Sequence, residues 1–135
     1  MILFDTHCHI ADSAFDSDLP EVIDRFLQAG GRRAVVVADP CEEAPNQEKV
    51  FSLVESRDFL FGAIGVHPHN SIRYSDAVEK EMLSYLAREK CRLFGEIGLD
   101  YHCLLYTSPT RRPPARRFRA LSDSPSTCAA LPRAF

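Results

Sequence analysis

Residues 2–12 read ILFDTHCHIAD, an apolar run that passes directly into Asp5, His7 and His9. In an extended strand, side chains two apart share a face. The spacing therefore predicts that the acid and both imidazoles converge on one side, with Thr6 and Cys8 on the other. Two imidazoles and a carboxylate at the end of a strand are a donor set suited to a cation. Cys8 is soft enough to bind zinc, but the alternation turns it away, and it is read as a small core residue.

The chain beyond this stretch has a regular order. Strands are predicted at Ile2–Phe4, Ala34–Ala38 (within RRAVVVADP), Phe59–Val66 (within FLFGAIGVHPH) and Arg92–Leu99 (within RLFGEIGLD). Between them lie helical stretches: DLPEVIDRFLQAGG, with Leu19, Val22, Ile23, Phe26 and Leu27 on one face and Gly30 as a stop; NQEKVFSLVESR; and DAVEKEMLSYLAREK. Alternating strands and helices mark parallel β/α units with right-handed crossovers. Four such units are half of an eight-fold β/α barrel, which typically needs about 250 residues. The alternatives are a small open α/β sheet or a truncated barrel.

The polar residues favour the barrel, in which the active site lies at the C-terminal ends of the strands. Asp5, His7 and His9 follow the first strand and Asp39 the second. His67 and His69 follow the third, and Glu96 and Asp100 end the fourth. Each also has a plain structural reading. An H-x-H pair alone is weak evidence for a metal, and gains weight here from Asp5 and the apolar strand before it. A carboxylate at Glu96, between Gly95 and Ile97, is seldom buried without a charged partner or a metal; a buried salt bridge is the alternative. His67 would bind phosphate or tune a ligand, or else cap a turn beside Pro68. His69 and His102 carry less weight.

Composition bounds the remaining possibilities. A chain of 135 residues, 45% apolar, suits one domain or a piece of a larger one. The five cysteines, at 8, 41, 91, 103 and 128, include no C-x-x-C pair, so disulfide scaffolding and structural zinc are not expected and reduced cytosolic thiols are. Residues 1–17 lack the basic and apolar pattern of a secretory signal. No apolar stretch approaches the roughly 18 residues of a membrane span. A soluble, cytoplasmic protein without membrane association is the expectation, and no protein partner is predicted.

The formal charge of −3 hides an asymmetry. From Cys103 onward six arginines against Asp123 give +5, so residues 1–102 carry −8; five of the nine prolines and none of the six glycines lie in this last part. Two segments are expected: 1–102, holding the first four β/α strands, and 103–135, a non-native disordered tail. The hexapeptide CLLYTS (103–108) resembles the translation of a transposon end used in preparing sequencing libraries. The rival reading of Arg111, Arg112, Arg116, Arg117 and Arg119 is a nucleic-acid-binding arm. An arm appended to half a barrel would leave the edge of the fourth strand unpaired.

Taken together, ILFDTHCHIAD, GAIGVHPHN and LFGEIGLDYH resemble the TatD family of metal-dependent hydrolases, within the amidohydrolase-like barrel group, over residues 1 to about 102. The resemblance implies a (β/α)8 barrel of the TIM type, of which this chain would hold the N-terminal half, and a divalent metal centre. It also implies DNase activity, commonly 3′ to 5′ exonucleolytic. His7, His9 and Glu96 match the family's metal ligands. Asp5, His67 and Asp100 match motif positions near the centre, and Glu96, Asp100 and His67 are the candidate catalytic residues. The later histidines and the late aspartate of the family have no counterpart, since no histidine follows His102; this chain is therefore expected to be an inactive fragment of an active parent.

The chemistry agrees with that donor set. Mixed imidazole and carboxylate ligation suits Mg²⁺, Mn²⁺ or Zn²⁺. Two ions per intact site, bridged by Glu96, would stand roughly 3.5–4 Å apart, as in two-metal phosphodiester cleavage. DNA is the expected substrate of the parent. Barrel hydrolases of similar metal design do many reactions, so a small-molecule ester or amide, or an aminoacyl-tRNA, is the alternative.

Overall fold

A computed structural model describes residues 1–43 and 47–98 of the chain. Four strands, β1 (Leu3–Cys8), β2 (Gly31–Ala38), β3 (Leu60–Ile64) and β4 (Cys91–Phe94), alternate with three helices, α1 (Leu19–Gln28), α2 (Gln47–Glu55) and α3 (Asp76–Leu86). Short 3₁₀ segments at Ser13–Phe15 and Pro68–Arg73 follow β1 and β3. Asp100, His102 and the segment 103–135, with its arginine cluster, lie outside the described residues.

The strands form one parallel sheet in the order β1-β2-β3-β4. Each crossover advances by one neighbouring strand in the same direction, and right-handed crossovers of this kind put the helices on one face. A doubly wound sheet reverses its strand order and carries helices on both faces. The observed strand order is that of consecutive units of a β/α barrel and not of a doubly wound sheet.

The two faces are chemically distinct. Val36, Ala38, Leu60 and Ile64 point to the helices, where they pack with Val50, Phe51 and Val54 of α2 and Met82 and Tyr85 of α3. Phe51, Leu60, Ile64 and Met82 are among the largest fully buried side chains, each worth about 1.5–3 kcal/mol relative to exposure. Val35, Val37 and Ala63 point the other way and form a second cluster with Phe61, to which no described helix contributes.

Local signals explain the helix bounds. Pro20 sits in the first turn of α1, where its missing N–H costs nothing. Past its end, Gly30 adopts φ 98°, and a Cβ there would lie 2.2 Å from the Met1 carbonyl oxygen. Only glycine permits both the turn and this approach, which lets Leu3 N–H donate to the Gly30 carbonyl at 2.9 Å. Ser75 caps α3 by accepting from Val78 N–H. Leu27, assigned to the apolar face of α1 from the sequence, is 42% exposed; Ile23 is buried, and Phe26 stacks on Phe59 with ring centroids 6.2 Å apart.

Helices α2 and α3 are clamped by Arg88. Its guanidinium lies over Tyr85 at 4.3 Å and reaches Glu48 and Glu55 at 3.1 and 3.2 Å. The Tyr85 hydroxyl donates to Glu48 Oε2 at 2.9 Å. The hydrogen bonds from Tyr85 and Arg88, with the Arg88 charge, hold the Glu48 carboxyl below its usual range.

Candidate metal centre

Strand β1 runs four residues further than its apolar part, through Asp5 and His7 to Cys8. Its pairing with β2 slips on the way. Asp5 stands opposite Ala34 and Cys8 opposite Val36, so three steps along β1 match two along β2. This is the signature of a bulge, which inverts the alternation beyond it. Asp5 and Cys8, though an odd number apart, therefore both lie on the helix-covered face with Ala34 and Val36.

The expected grouping of Asp5 with His7 and His9 is thus corrected. Asp5 lines a cavity of about 160 Å³ under α1 together with Cys8, Ile10 and Phe26. Its Oδ1 accepts from His7 N–H at 3.0 Å, so it braces the bulge from behind. Cys8 is turned away from the histidines as the sequence suggested. Its thiol donates to the Val35 carbonyl at 3.3 Å, and burial pushes it up to about 11.

The two histidines do converge, with Nε2 atoms 3.1 Å apart. Glu96 meets them from the loop after β4, two residues past the end of that strand at Phe94 and not inside the fourth strand as the sequence predicted. Its Oε2 lies 3.4 Å from His7 Nε2 and its Oε1 3.3 Å from His67 Nε2. The side chain is 37% exposed, so Glu96 is not the buried carboxylate of the sequence reading. It gains its partners at the rim of the sheet.

His7, His9 and Glu96 each offer one ligand atom, all within 4.8 Å of one another. Ligands about 2.0–2.1 Å from a tetrahedral zinc ion stand about 3.3 Å apart. The His7–His9 and His7–Glu96 spacings of 3.1 and 3.4 Å are close to this, all three atoms lie within 4.8 Å of one another, and among the described residues no other group of this kind occurs. Gly65 makes room for it. A Cβ at Gly65 would lie 2.6 Å from the Glu96 carbonyl oxygen and 2.7 Å from Ile97 Cγ2, so the backbone carrying Glu96 passes directly over this position.

Of the readings weighed for His67, the turn cap is observed. His67 caps the 3₁₀ segment, its Nδ1 accepting from His69 N–H at 3.1 Å, and it presents Nε2 to Glu96. The His69 ring packs edge-on against it, centroids 4.7 Å apart. Asp39, offered by the sequence as a possible ligand, is only 6% exposed. Both its oxygens are already used: Oδ1 accepts from Cys41 N–H at 2.7 Å, and Oδ2 from His67 N–H at 3.0 Å and Asn70 Nδ2 at 2.7 Å. Asn70 and Arg73, which donates to the Cys41 carbonyl at 2.6 Å, were not singled out from the sequence. The signal for Asn70 was its place directly after HPH in a turn, where a short amide side chain bonds backbone or a neighbouring carboxylate. Beside His67 an open cleft of about 550 Å³ runs past His69, Asn70 and Arg73.

Comparison with known proteins finds relatives over about three-quarters of the chain. A Bacillus subtilis protein named as an uncharacterized metal-dependent hydrolase, YabD, is 37% identical over 101 residues, covering 75% of this chain and 38% of its own length. The Pectobacterium carotovorum protein named 3′-5′ ssDNA/RNA exonuclease TatD is 29% identical over 101 residues, covering 74% and 38%. The crystal structure of the Escherichia coli TatD homologue YjjV superposes with a TM-score of 0.62 at 35% identity, covering 73% of this chain and 38% of that one. The chain thus spans about two-fifths of the length of the relatives it matches. Residues 4–123 match the family described as TatD related DNase, and the chain belongs to that family.

Proposed function

We propose that His7, His9 and Glu96 are ligands of a divalent metal centre, and that a family-length protein built on this half-site hydrolyses phosphodiester bonds at nucleic-acid ends. The observation that carries the reading is the convergence of the three ligand atoms within 4.8 Å at the C-terminal rim of the sheet. The TatD relative named as an ssDNA/RNA exonuclease supports nucleic acid as the substrate class.

When bound, a divalent ion supplies an acidified water and neutralises charge on a phosphoryl oxygen. The chain's own residues hold and orient. His7 and His9 offer imidazole nitrogens from the end of β1. Glu96 turns one carboxylate oxygen to His7 and the other to His67. His67 stands where its Nε2 can meet either Glu96 or an incoming phosphate. The open cleft beside it, lined by His69, Asn70 and Arg73 and also by Glu42 and Glu43, adjoins this position.

The test is a side-by-side assay of Mn²⁺- and Mg²⁺-dependent degradation of single-stranded DNA. It uses this chain and a chimera in which its residues 1–98 replace the matching part of E. coli YjjV. Cleavage by the chimera that chelator stops, and that His7→Ala or Glu96→Ala abolishes while circular dichroism is unchanged, is the expected result; this chain alone is expected to be inactive. A chimera that binds metal and leaves DNA intact would reject the nuclease reading and bring small-molecule ester or amide hydrolysis forward.

A further inference from the structure

We infer that Asp39 is a positioning residue for the centre: its buried carboxylate fixes the His67 backbone, so that His67 is held as a hydrogen donor at Nε2, facing Glu96, and not as a metal ligand. The inference rests on the metal-centre reading above and adds to it a division of labour between the histidines.

The His69 backbone N–H is a donor and nothing else, and it points at His67 Nδ1 at 3.1 Å. Nδ1 must therefore be the bare, accepting nitrogen. In a neutral imidazole the proton then sits on Nε2. That nitrogen lies 3.3 Å from Glu96 Oε1. A neutral ring in this tautomer has no lone pair at Nε2 to give a metal ion. It can offer a proton to Glu96 or to a phosphate oxygen. His7 and His9 differ, since their Nε2 atoms lie 3.1 Å apart and converge as ligands do.

The tautomer is only as secure as the turn that imposes it, and Asp39 holds that turn. Its Oδ2 accepts from both His67 N–H and Asn70 Nδ2, the residues at the start and middle of the 3₁₀ segment, while Oδ1 ties down the loop after β2 through Cys41 N–H. Asn70 N–H in turn donates to the His67 carbonyl at 2.8 Å. With an exposure of 6%, the carboxylate is an acceptor that water does not readily replace. Charge-assisted bonds of this kind are roughly twice as strong as neutral ones. An asparagine in its place would turn an NH₂ group toward one of these donors.

The experiment uses the 135-residue chain with ¹⁵N-labelled histidine and long-range ¹H–¹⁵N correlation at neutral pH, assigned with His67→Gln. The unsubstituted chain is expected to show His67 in a single Nε2–H form. Asp39→Asn is expected to shift its ring nitrogens toward a two-tautomer average and to weaken Zn²⁺ binding, read by calorimetry, roughly tenfold, with circular dichroism unchanged. A purely structural role would move the melting temperature and leave the tautomer alone; that outcome overturns the inference. So does an Nδ1–H form in the unsubstituted chain, a measurement that holds even if Asp39→Asn does not fold. Absence of chelator-reversible Zn²⁺ binding by the unsubstituted chain would instead overturn the metal-centre reading on which the inference rests.

Discussion

The helix-covered face of the sheet and its C-terminal rim obey opposite rules. On the covered face, Val36, Val50, Phe51, Val54, Leu60, Ile64 and Met82 are fully buried, and their chemistry is interchangeable so long as volume is kept. At the rim, His7 and Glu96 keep 49% and 37% of their side-chain surface, and under the metal-centre reading proposed above their value lies in where their ligand atoms stand. The difference teaches where damage would be felt: as lost stability on one side, and as lost ligand geometry without unfolding on the other.

The largest expected effect falls on the covered face. Phe51→Ala removes a ring with no exposed surface that stacks on Tyr85, centroids 4.8 Å apart. A loss of about 3–5 kcal/mol is expected, read as a lower urea midpoint. A loss under about 1 kcal/mol would mean that α2 is not anchored as described.

His9→Ala should do the reverse. Zn²⁺ affinity is expected to fall by about 100-fold or more, while the melting temperature stays within about 2 °C. A large drop in melting temperature with unchanged metal affinity would break the separation of the two regions.

Gly65→Ala probes the seam between them. The added Cβ would meet the Glu96 carbonyl oxygen at 2.6 Å, so the loop must move and carry Glu96 away from His7. A roughly tenfold loss of metal affinity, accompanied by a modest loss of stability, is the expected result. Unchanged affinity would show that the loop has room to spare.

The smallest effect concerns pH and the outer clamp. Because the Glu48 carboxyl is held below its usual range by Tyr85 and Arg88, its contribution is present above the ordinary carboxylate range. It is lost as pH falls through the lowered value. Glu48→Gln should therefore flatten a small part of the acid limb of the stability–pH curve and leave neutral metal binding unchanged. An identical acid limb in the variant would remove the clamp from the account.

Much of this was legible before any fold was known. The apolar run at 34–38, the Leu93–Phe94 pair and the helical spacing through Val50, Phe51 and Val54 depend on neighbours a few residues away, which the sequence displays directly. The H-x-H pair was legible for the same reason. Asp5 was misplaced because a bulge is a property of two strands in register, and nothing within ILFDTHCHIAD announces where β1 will slip against β2. Leu27 satisfied the helical pattern, yet it is left exposed, because local periodicity does not say how much of a helix's apolar face its neighbours will cover.

By itself, then, the sequence determined the β/α order and the residue types that could hold a cation, since these follow from local periodicity and donor chemistry. Only the tertiary structure decided which donors meet. Glu96 reaches His7 across a strand order set by crossovers, past a glycine 31 residues before it. Asp39 turned out to hold His67 because burial removes water as a competing acceptor and leaves its carboxylate to the loop.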